Sequence, residues 1–249
     1  MQRYKLTVEY DGSGFVGWQR QKNGFGVQEA LEQAIEKFCG EKVSVLGSGR
    51  TDAGVHAIAQ VAHFDIEKDT DSDTVRDALN YHLKRGAVSV LAAEAVEDDF
   101  HARFSAQQRA YVYRIVSRRA PTTFDRGLVW WVPVKLDADV MQEASQVLLG
   151  KHDFSTFRAA DCQADGPVKT LDAIRVERLD YSGGCEIQIH VRAISFLYHQ
   201  IRNFAGSLKL VGEGRWTVDD FKQAFEATDR TKGGPTAPPE GLYFVEVVY

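Results

Sequence analysis

Gly47-Ser48-Gly49-Arg50-Thr51-Asp52-Ala53-Gly54-Val55-His56 lies between two short apolar stretches, Val43 to Leu46 and Ile58 to Phe64, that read as strands. Three glycines bracket an arginine, a threonine and an aspartate. Glycine permits positive φ and lets another backbone or a ligand approach closely. A strand–loop–strand unit needs a sheet, and its flanks say what kind. Upstream, Tyr4 to Tyr10 alternates with period two and predicts a strand. Asp11-Gly12-Ser13-Gly14 breaks it and opens a Gly-rich loop through Gly26. Val27, Ala30, Leu31, Ala34, Ile35 and Phe38 then form one stripe of an amphipathic helix, with Gly40 placed to end it. Downstream, Asp73 to Leu83 reads as a helix with Asp73 as its N-cap, and Val88 to Val96 as a strand.

The remainder repeats this plan loosely. Arg109 to Val116 and Leu128 to Val134 read as strands, the second bounded by Pro133. Asp137 opens a helix with Val140, Met141, Ala144, Val147 and Leu148 on one face, stopped by Gly150. Leu171 to Leu179 and Glu186 to Val191 alternate and meet across Tyr181-Ser182-Gly183-Gly184, a hairpin signal. Phe196 to Val211 predicts a long apolar helix and Thr217 to Ala227 a shorter amphipathic one. A Gly/Pro loop, Gly233 to Gly241, precedes a final strand from Leu242 to Tyr249. Strands mixed with helices, some joined as hairpins, predict an α+β fold with mixed or antiparallel sheets. Two similar halves, 1–104 and 105–249, are expected, because acidic composition gives way to basic near Phe104.

The chain has 249 residues, 44% of them hydrophobic, 26% charged and 11% aromatic. Such values fit a globular protein and set aside disordered, collagen-like and coiled-coil classes. The longest apolar run, Leu128 to Val132, is far short of the roughly twenty residues of a membrane span. The first residues lack the apolar segment of a secretory signal. Cys39, Cys162 and Cys185 are odd in number and far apart, which suits neither a disulfide framework nor a zinc cluster and points to a reducing cytoplasm.

Formal net charge is −5, from 30 Lys plus Arg against 35 Asp plus Glu. The bulk number argues against a nucleic-acid partner, but its distribution does not. Phe100 to Arg119 carries Arg103, Arg109, Arg114, Arg118 and Arg119 with no acid, just after an acid-rich stretch from Asp65 to Asp73. An acidic protein with this asymmetry can still present one positive face. Charge alone also fits a strand with a solvated arginine edge.

Three groups of residues have chemical potential. The loop around Asp52 lacks the Gly-Lys-Ser/Thr of a phosphate loop. Its everyday reading is a tight Asx-type turn with Arg50 in water. Its other reading is an ionised carboxylate held at a cleft by arginine, able to act as nucleophile or base on a glycosidic carbon or activated ring. In Arg109-Ala110-Tyr111-Val112-Tyr113-Arg114, alternation puts Arg109, Tyr111 and Tyr113 on one face and Arg114 opposite. Aromatics beside arginines suit base stacking and phosphate pairing, or else simple core packing. In the apolar helix, Tyr198 and Arg202 fall at i and i+4; an inward Arg202 needs an anion, and an outward one snorkels to solvent.

Together with Tyr10-Asp11-Gly12-Ser13-Gly14-Phe15-Val16-Gly17-Trp18-Gln19, Phe100-His101-Ala102-Arg103-Phe104-Ser105-Ala106, Phe154-Ser155-Thr156-Phe157, Ile201-Arg202-Asn203 and Ala237-Pro238-Pro239-Glu240-Gly241-Leu242, these motifs closely resemble the TruA family of tRNA pseudouridine synthases, from about Arg3 to Tyr249. Gly-Arg-Thr-Asp-Ala-Gly is the most specific element. Ala110 departs from the pattern, since a basic residue often precedes the first tyrosine, which weakens a phosphate contact there. The resemblance implies conversion of uridine to pseudouridine at positions 38, 39 and 40 of the tRNA anticodon arm. It implies two α+β halves flanking a central cleft, a homodimer, and no metal or organic cofactor. It further implies that Asp52 is the catalytic carboxylate and that Tyr111 stacks on the flipped base. Arg202 would pair with Asp52, Arg50 would help displace the base or bind its phosphate, and the loop from Asp11 to Gly26 would embrace the stem.

The chemistry is consistent with that set. N1–C1′ breaks, the uracil turns, and C5 joins C1′ with no redox change, so no cofactor is demanded. Attack at C6, attack at C1′ and a glycal route all remain open for Asp52. Two other classes compete. A non-catalytic RNA-binding module would have no use for a held carboxylate, and a nucleoside glycosidase wants a second acid near the first.

Overall fold

The strand that opens the chain, β1 (Gln2–Tyr10), turns Tyr4, Leu6, Val8 and Tyr10 inward, as its alternation requires. Helix α1 (Val27–Cys39) buries Val27, Ala30, Leu31, Ala34 and Ile35. Gly40 ends it in the left-handed region (φ 81°), donating its N–H to Glu36 O. The next strand, β2, is only Leu46–Gly47. Val45 N–H donates to the Glu32 carboxylate on α1, so the stretch expected from Val43 joins the sheet only at its end. Strand β3 (His56–Ile66) pairs antiparallel with β1 and carries the far side of the Gly47–His56 loop. Helix α2 (Ser72–Leu83) is capped by Asp71, not by the expected Asp73. The Asp71 carboxylate accepts from Thr74 N–H at 2.8 Å, a reach that Asp73, already inside the first turn, does not have. Strand β4 (Val88–Val96) pairs antiparallel with the other edge of β1 and supports α2, which packs on α1. The computed structural model from which these elements are taken describes residues 1–22, 24–84 and 86–249; Asn23, in the Gly-rich loop, lies outside them.

A second group of elements begins with β5 (Gln108–Ser117) and β6 (Trp130–Val132), which run parallel to each other. Helix α3 (Ala138–Ser145) starts at Asp137, whose carboxylate caps two N–H groups, and continues as a short 3₁₀ turn to Leu148. Gly150 then begins a strand instead of ending the chain's order: β7 (Gly150–Asp153) and β8 (Val168–Leu171) form a separate two-stranded ribbon absent from the sequence expectation. Strands β9 (Ala173–Tyr181) and β10 (Gly184–Ala193) make the expected hairpin, with Gly183 at φ 74° in its two-residue turn. Helix α4 (Gln200–Gly212) starts four residues later than its apolar run suggests, because His199 sits in the left-handed region at φ 61°. Helix α5 (Val218–Glu226) opens with a reciprocal Thr217/Asp220 capping box. Helices α3, α4 and α5 pack on one another, and α3 on β9. Phe157 stacks on Phe221 and Phe225 and meets Phe204 edge-on at 4.9 Å.

The last strand, β11 (Leu242–Val248), runs parallel to β3 through Tyr243 opposite His56 and Phe244 opposite Ala57. It brings the chain end back: Val248 O accepts from Gln107 N–H, and the Tyr249 hydroxyl donates to Ala102 O. The compact units are Met1–Arg109 with Tyr243–Tyr249, and Ala110–Leu242. These bounds differ from the 1–104 and 105–249 expected from composition, because strand pairing and not charge decides where the last residues pack. The first unit has the strand order β4-β1-β3-β11, and the second β9-β10-β5 with β6 beside β5. Both mix antiparallel and parallel neighbours and carry helices, so the fold is α+β as expected. Among the described residues no helix is long and apolar enough to cross a membrane.

Candidate active site

Two sets of candidate residues emerge, one in each unit. In the first, Asp52 is half-buried in a turn closed by Val55 N–H donating to Asp52 O, with Gly54 at φ 77°. Arg50, two residues earlier, is exposed. The start of the Gly-rich loop lies directly against this turn. Gly17 bridges Asp52 at φ 111°, and a Cβ there would sit 2.6 Å from Thr51 O. A Cβ on Gly12 would collide with Val55 O. Those two glycines therefore have a close-approach role, and Trp18 follows, buried, its N–H donating to Thr51 O at 3.0 Å. The Trp18 ring in turn covers Gly47.

Behind the loop is a buried polar lining. The Tyr10 hydroxyl and Thr51 Oγ1 are 2.8 Å apart, and burial pushes the phenol up to about 12. Gln60 meets Ser48 Oγ at 2.5 Å and donates from Nε2 to Gly49 O at 3.1 Å. Arg109, only 9% exposed, turns its guanidinium onto the same segment and donates to Ser48 O and Arg103 O. His56 is buried and stacks on Tyr243, with Nδ1 accepting from Gly12 N–H at 3.0 Å. The loop thus has backbone, hydroxyl and amide contacts that hold its conformation around a half-buried Asp52.

In the second unit, Tyr111 is 8% exposed and meets Phe196 edge-on at 5.3 Å. Tyr113 is fully buried; its hydroxyl donates to Pro238 O, and burial holds that phenol well above its ordinary range. Of the two tyrosines, Tyr113 holds the Gly/Pro loop, and Gly241 fits under its ring because it has no side chain. Arg202 is half-buried on α4 and makes a reciprocal contact with that loop: Nε donates to Ala237 O at 2.8 Å, and Ala237 N–H to Arg202 O at 3.1 Å. Tyr198 precedes the helix, so the expected i, i+4 relation with Arg202 does not form; Tyr198 stacks on His199 instead. Asn203 fixes the other side, donating to Phe157 O and accepting from Arg230 and Thr236.

The arginine band is less basic in space than in sequence. Arg114 makes a two-pronged contact with the buried Glu186 carboxylate, which it holds below the usual carboxylate range, and lies half-buried there. Arg118 donates to Ala120, Pro121 and Ser182 carbonyls. Arg103 and Arg119 are exposed. Sequence reading missed Tyr10, Ser48 and Gln60 as supports and Phe196 as the companion of Tyr111. Gln60 did leave a signal, being a polar residue at an inward position of an apolar strand. Among the described residues no cluster of metal-ligating side chains occurs.

Comparison with known proteins identifies the family. A family model described as tRNA pseudouridine synthase matches residues 6–105 and 144–249, which include the Asp52 loop and helix α4. The chain is 59% identical over 249 residues to tRNA pseudouridine synthase A of Paramagnetospirillum magneticum, covering all of this chain and 96% of that one. It is 57% identical to tRNA pseudouridine synthase A of Maricaulis maris, over all of this chain and 98% of the relative. Against the protein of that name from Rhodospirillum centenum it is again 57% identical, with both chains fully covered. Similarity that extends from end to end and includes the glycine-supported aspartate turn places the chain in the tRNA pseudouridine synthase family.

Proposed function

We propose that this protein isomerises uridine to pseudouridine in the anticodon stem-loop of tRNA, at positions 38, 39 and 40, with Asp52 as the catalytic carboxylate. The observation that carries this reading is the Asp52 turn itself. Gly17 and Trp18 hold its backbone and Tyr10 holds the neighbouring Thr51 hydroxyl, while Asp52 itself stays only half-buried, an arrangement that pure binding would not require. Family membership supplies the substrate class.

The reaction breaks N1–C1′ and forms C5–C1′; one proton leaves C5 and one is gained at N1, so atoms and electrons balance without a redox partner. The target base must first leave the stack, at a cost of a few kcal/mol that is lower in a loop or at a stem end. Arg50, exposed beside Asp52, suits displacement of that base or contact with its phosphate. Tyr111 gives an aromatic surface for the everted uracil, and Phe196 fixes the ring's orientation. Arg202, held on α4 by its contact with Ala237, is the second catalytic residue that the family resemblance implies. The reading also carries a cytoplasmic setting, a homodimer and no requirement for a metal or organic cofactor.

Tritium release from tRNA labelled at uridine C5 tests it. Wild-type protein is expected to release tritium only when uridine occupies positions 38 to 40. Asp52→Asn should reduce release to background while a mobility shift with tRNA persists. Normal turnover by Asp52→Asn would remove the carboxylate from the chemistry. Binding without release by the wild type would favour an RNA-binding module, and free uracil would indicate a glycosidase.

A further inference from the structure

We propose that Arg109 is a positioning residue for the Arg50–Asp52 segment, acting through the Ser48 carbonyl, and is not a phosphate contact for RNA. The proposal rests on the isomerase reading and assigns a residue that supports its site. Three observations carry it. The Arg109 side chain is buried, 9% exposed, whereas a residue that pairs with backbone phosphate needs an open guanidinium. Two of its nitrogens converge on one oxygen: Nε lies 3.0 Å and Nη2 2.8 Å from Ser48 O. Nη2 also reaches Arg103 O at 2.8 Å, which joins the loop to the segment leading into β5.

Ser48 is the right place for such a clamp. It is four residues before Asp52, and Gly49 between them gives the backbone freedom to drift. The other supports named here meet the loop at other atoms. Ser48 N–H donates to Val61 O at 2.8 Å, Gln60 holds Gly49 O, Tyr10 holds Thr51 Oγ1, and Trp18 N–H holds Thr51 O. Without Arg109 a buried carbonyl loses charge-assisted donors at the point where the loop leaves β2. A lysine cannot replace them: it offers one compact ammonium and no Nε–H, so the convergent geometry is lost.

A displaced catalytic group and a lost phosphate contact have different signatures. A misplacement of about 1 Å can cost about 10²-fold in rate with little change in binding. Loss of one phosphate contact weakens binding and lowers the slope of log K against log[salt] by about 0.7–0.9. We therefore expect Arg109→Lys to slow single-turnover pseudouridine formation by about 10–100-fold at saturating enzyme. Its tRNA affinity should stay within about twofold and its salt slope should match wild type. Arg109→Gln, which keeps one amide donor near Ser48 O, should fall between Arg109→Lys and wild type.

A weaker, flatter salt dependence with an unchanged single-turnover rate would overturn the proposal, as would no change in either quantity. If both variants are unfolded at the assay temperature, Arg109 supports the fold as a whole and the positioning assignment fails. Failure here is separable from failure of the isomerase reading, which is judged by wild-type release and by Asp52→Asn alone.

Discussion

A tyrosine hydroxyl set against a threonine behind the loop shows how much of this site is decided by single atoms. Tyr10 is buried, and its phenol is pushed up to about 12 by loss of water, so it remains a neutral hydrogen-bond partner for Thr51 at any working pH. Tyr10→Phe removes that hydroxyl and leaves Thr51 Oγ1 buried without it, at an expected cost of about 1–2 kcal/mol. The pH dependence gives a second readout. A phenol whose folded value exceeds its free value of 10 contributes its full stability below pH 10. That contribution is lost as pH rises through 12, about 2–3 kcal/mol across the window. Urea midpoints at pH 8, 10 and 12 should therefore fall more steeply for wild type than for Tyr10→Phe, and parallel declines would show that Tyr10 does not titrate as described. Gln60 and Tyr10 were legible only as residues of strands, because alternation reports which face is inward and not which inward atom finds a partner. Motif resemblance names Asp52, Arg50 and Arg202 as candidates, and Arg109 was legible as an arginine but not as one whose guanidinium turns onto Ser48 O.

Helix α4 and the loop laid along it show the same limits one level up. The apolar run from Phe196 predicted a helix, and the helix exists, but propensity could not foresee that His199 would take a left-handed conformation and hold off its start. Nor could it foresee the β7–β8 ribbon, four residues a side, whose pairing partner lies beyond a long irregular stretch. What the helix does for the site depends on small residues. Gly206 faces the Pro235 carbonyl so closely that a Cβ would collide with it, and Ser207 Oγ accepts from Gly234 N–H at 2.9 Å. These contacts let the Gly/Pro loop lie flat and bring Ala237 to Arg202. Gly206→Ala should push the loop off the helix and cost about 1–3 kcal/mol, the range for overpacking a tight contact. Loss of activity beyond the loss of stability would show that the loop's contact with Arg202 matters for chemistry. Full activity with a wild-type melting temperature would mean that the loop can shift freely, contrary to the reciprocal Arg202–Ala237 contact. Arg202→Ala is expected to lower pseudouridine formation sharply in folded protein, and unchanged kinetics with tRNA would remove Arg202 from the site.

The chain as a whole is stitched by its end. Residues Tyr243 to Tyr249 pack in the first unit, not with the residues that precede them in sequence. Composition could not show this, because a parallel partner such as β3 is about 190 positions away and leaves no mark in local periodicity or charge. The strand adds more than an edge. Phe244 is fully buried and Tyr243 nearly so, the latter stacked on His56 at 4.7 Å, and His56 in turn accepts from Gly12 N–H beside the Asp52 turn. Val248 O and the Tyr249 hydroxyl tie down Gln107 and Ala102, just ahead of Arg109. Burying two large aromatic side chains contributes roughly 1.5–3 kcal/mol each, and a domain's whole stability is about 5–15 kcal/mol. Removing residues 242–249 should therefore unfold the first unit while the helices of the second retain their mutual packing. Hydrogen exchange would read this directly, with β1, β3 and β4 losing protection and α3 to α5 keeping it. Retained protection in β1 and β3 after truncation would mean that the first unit stands without its last strand, and that the Asp52 turn depends only on residues local to it.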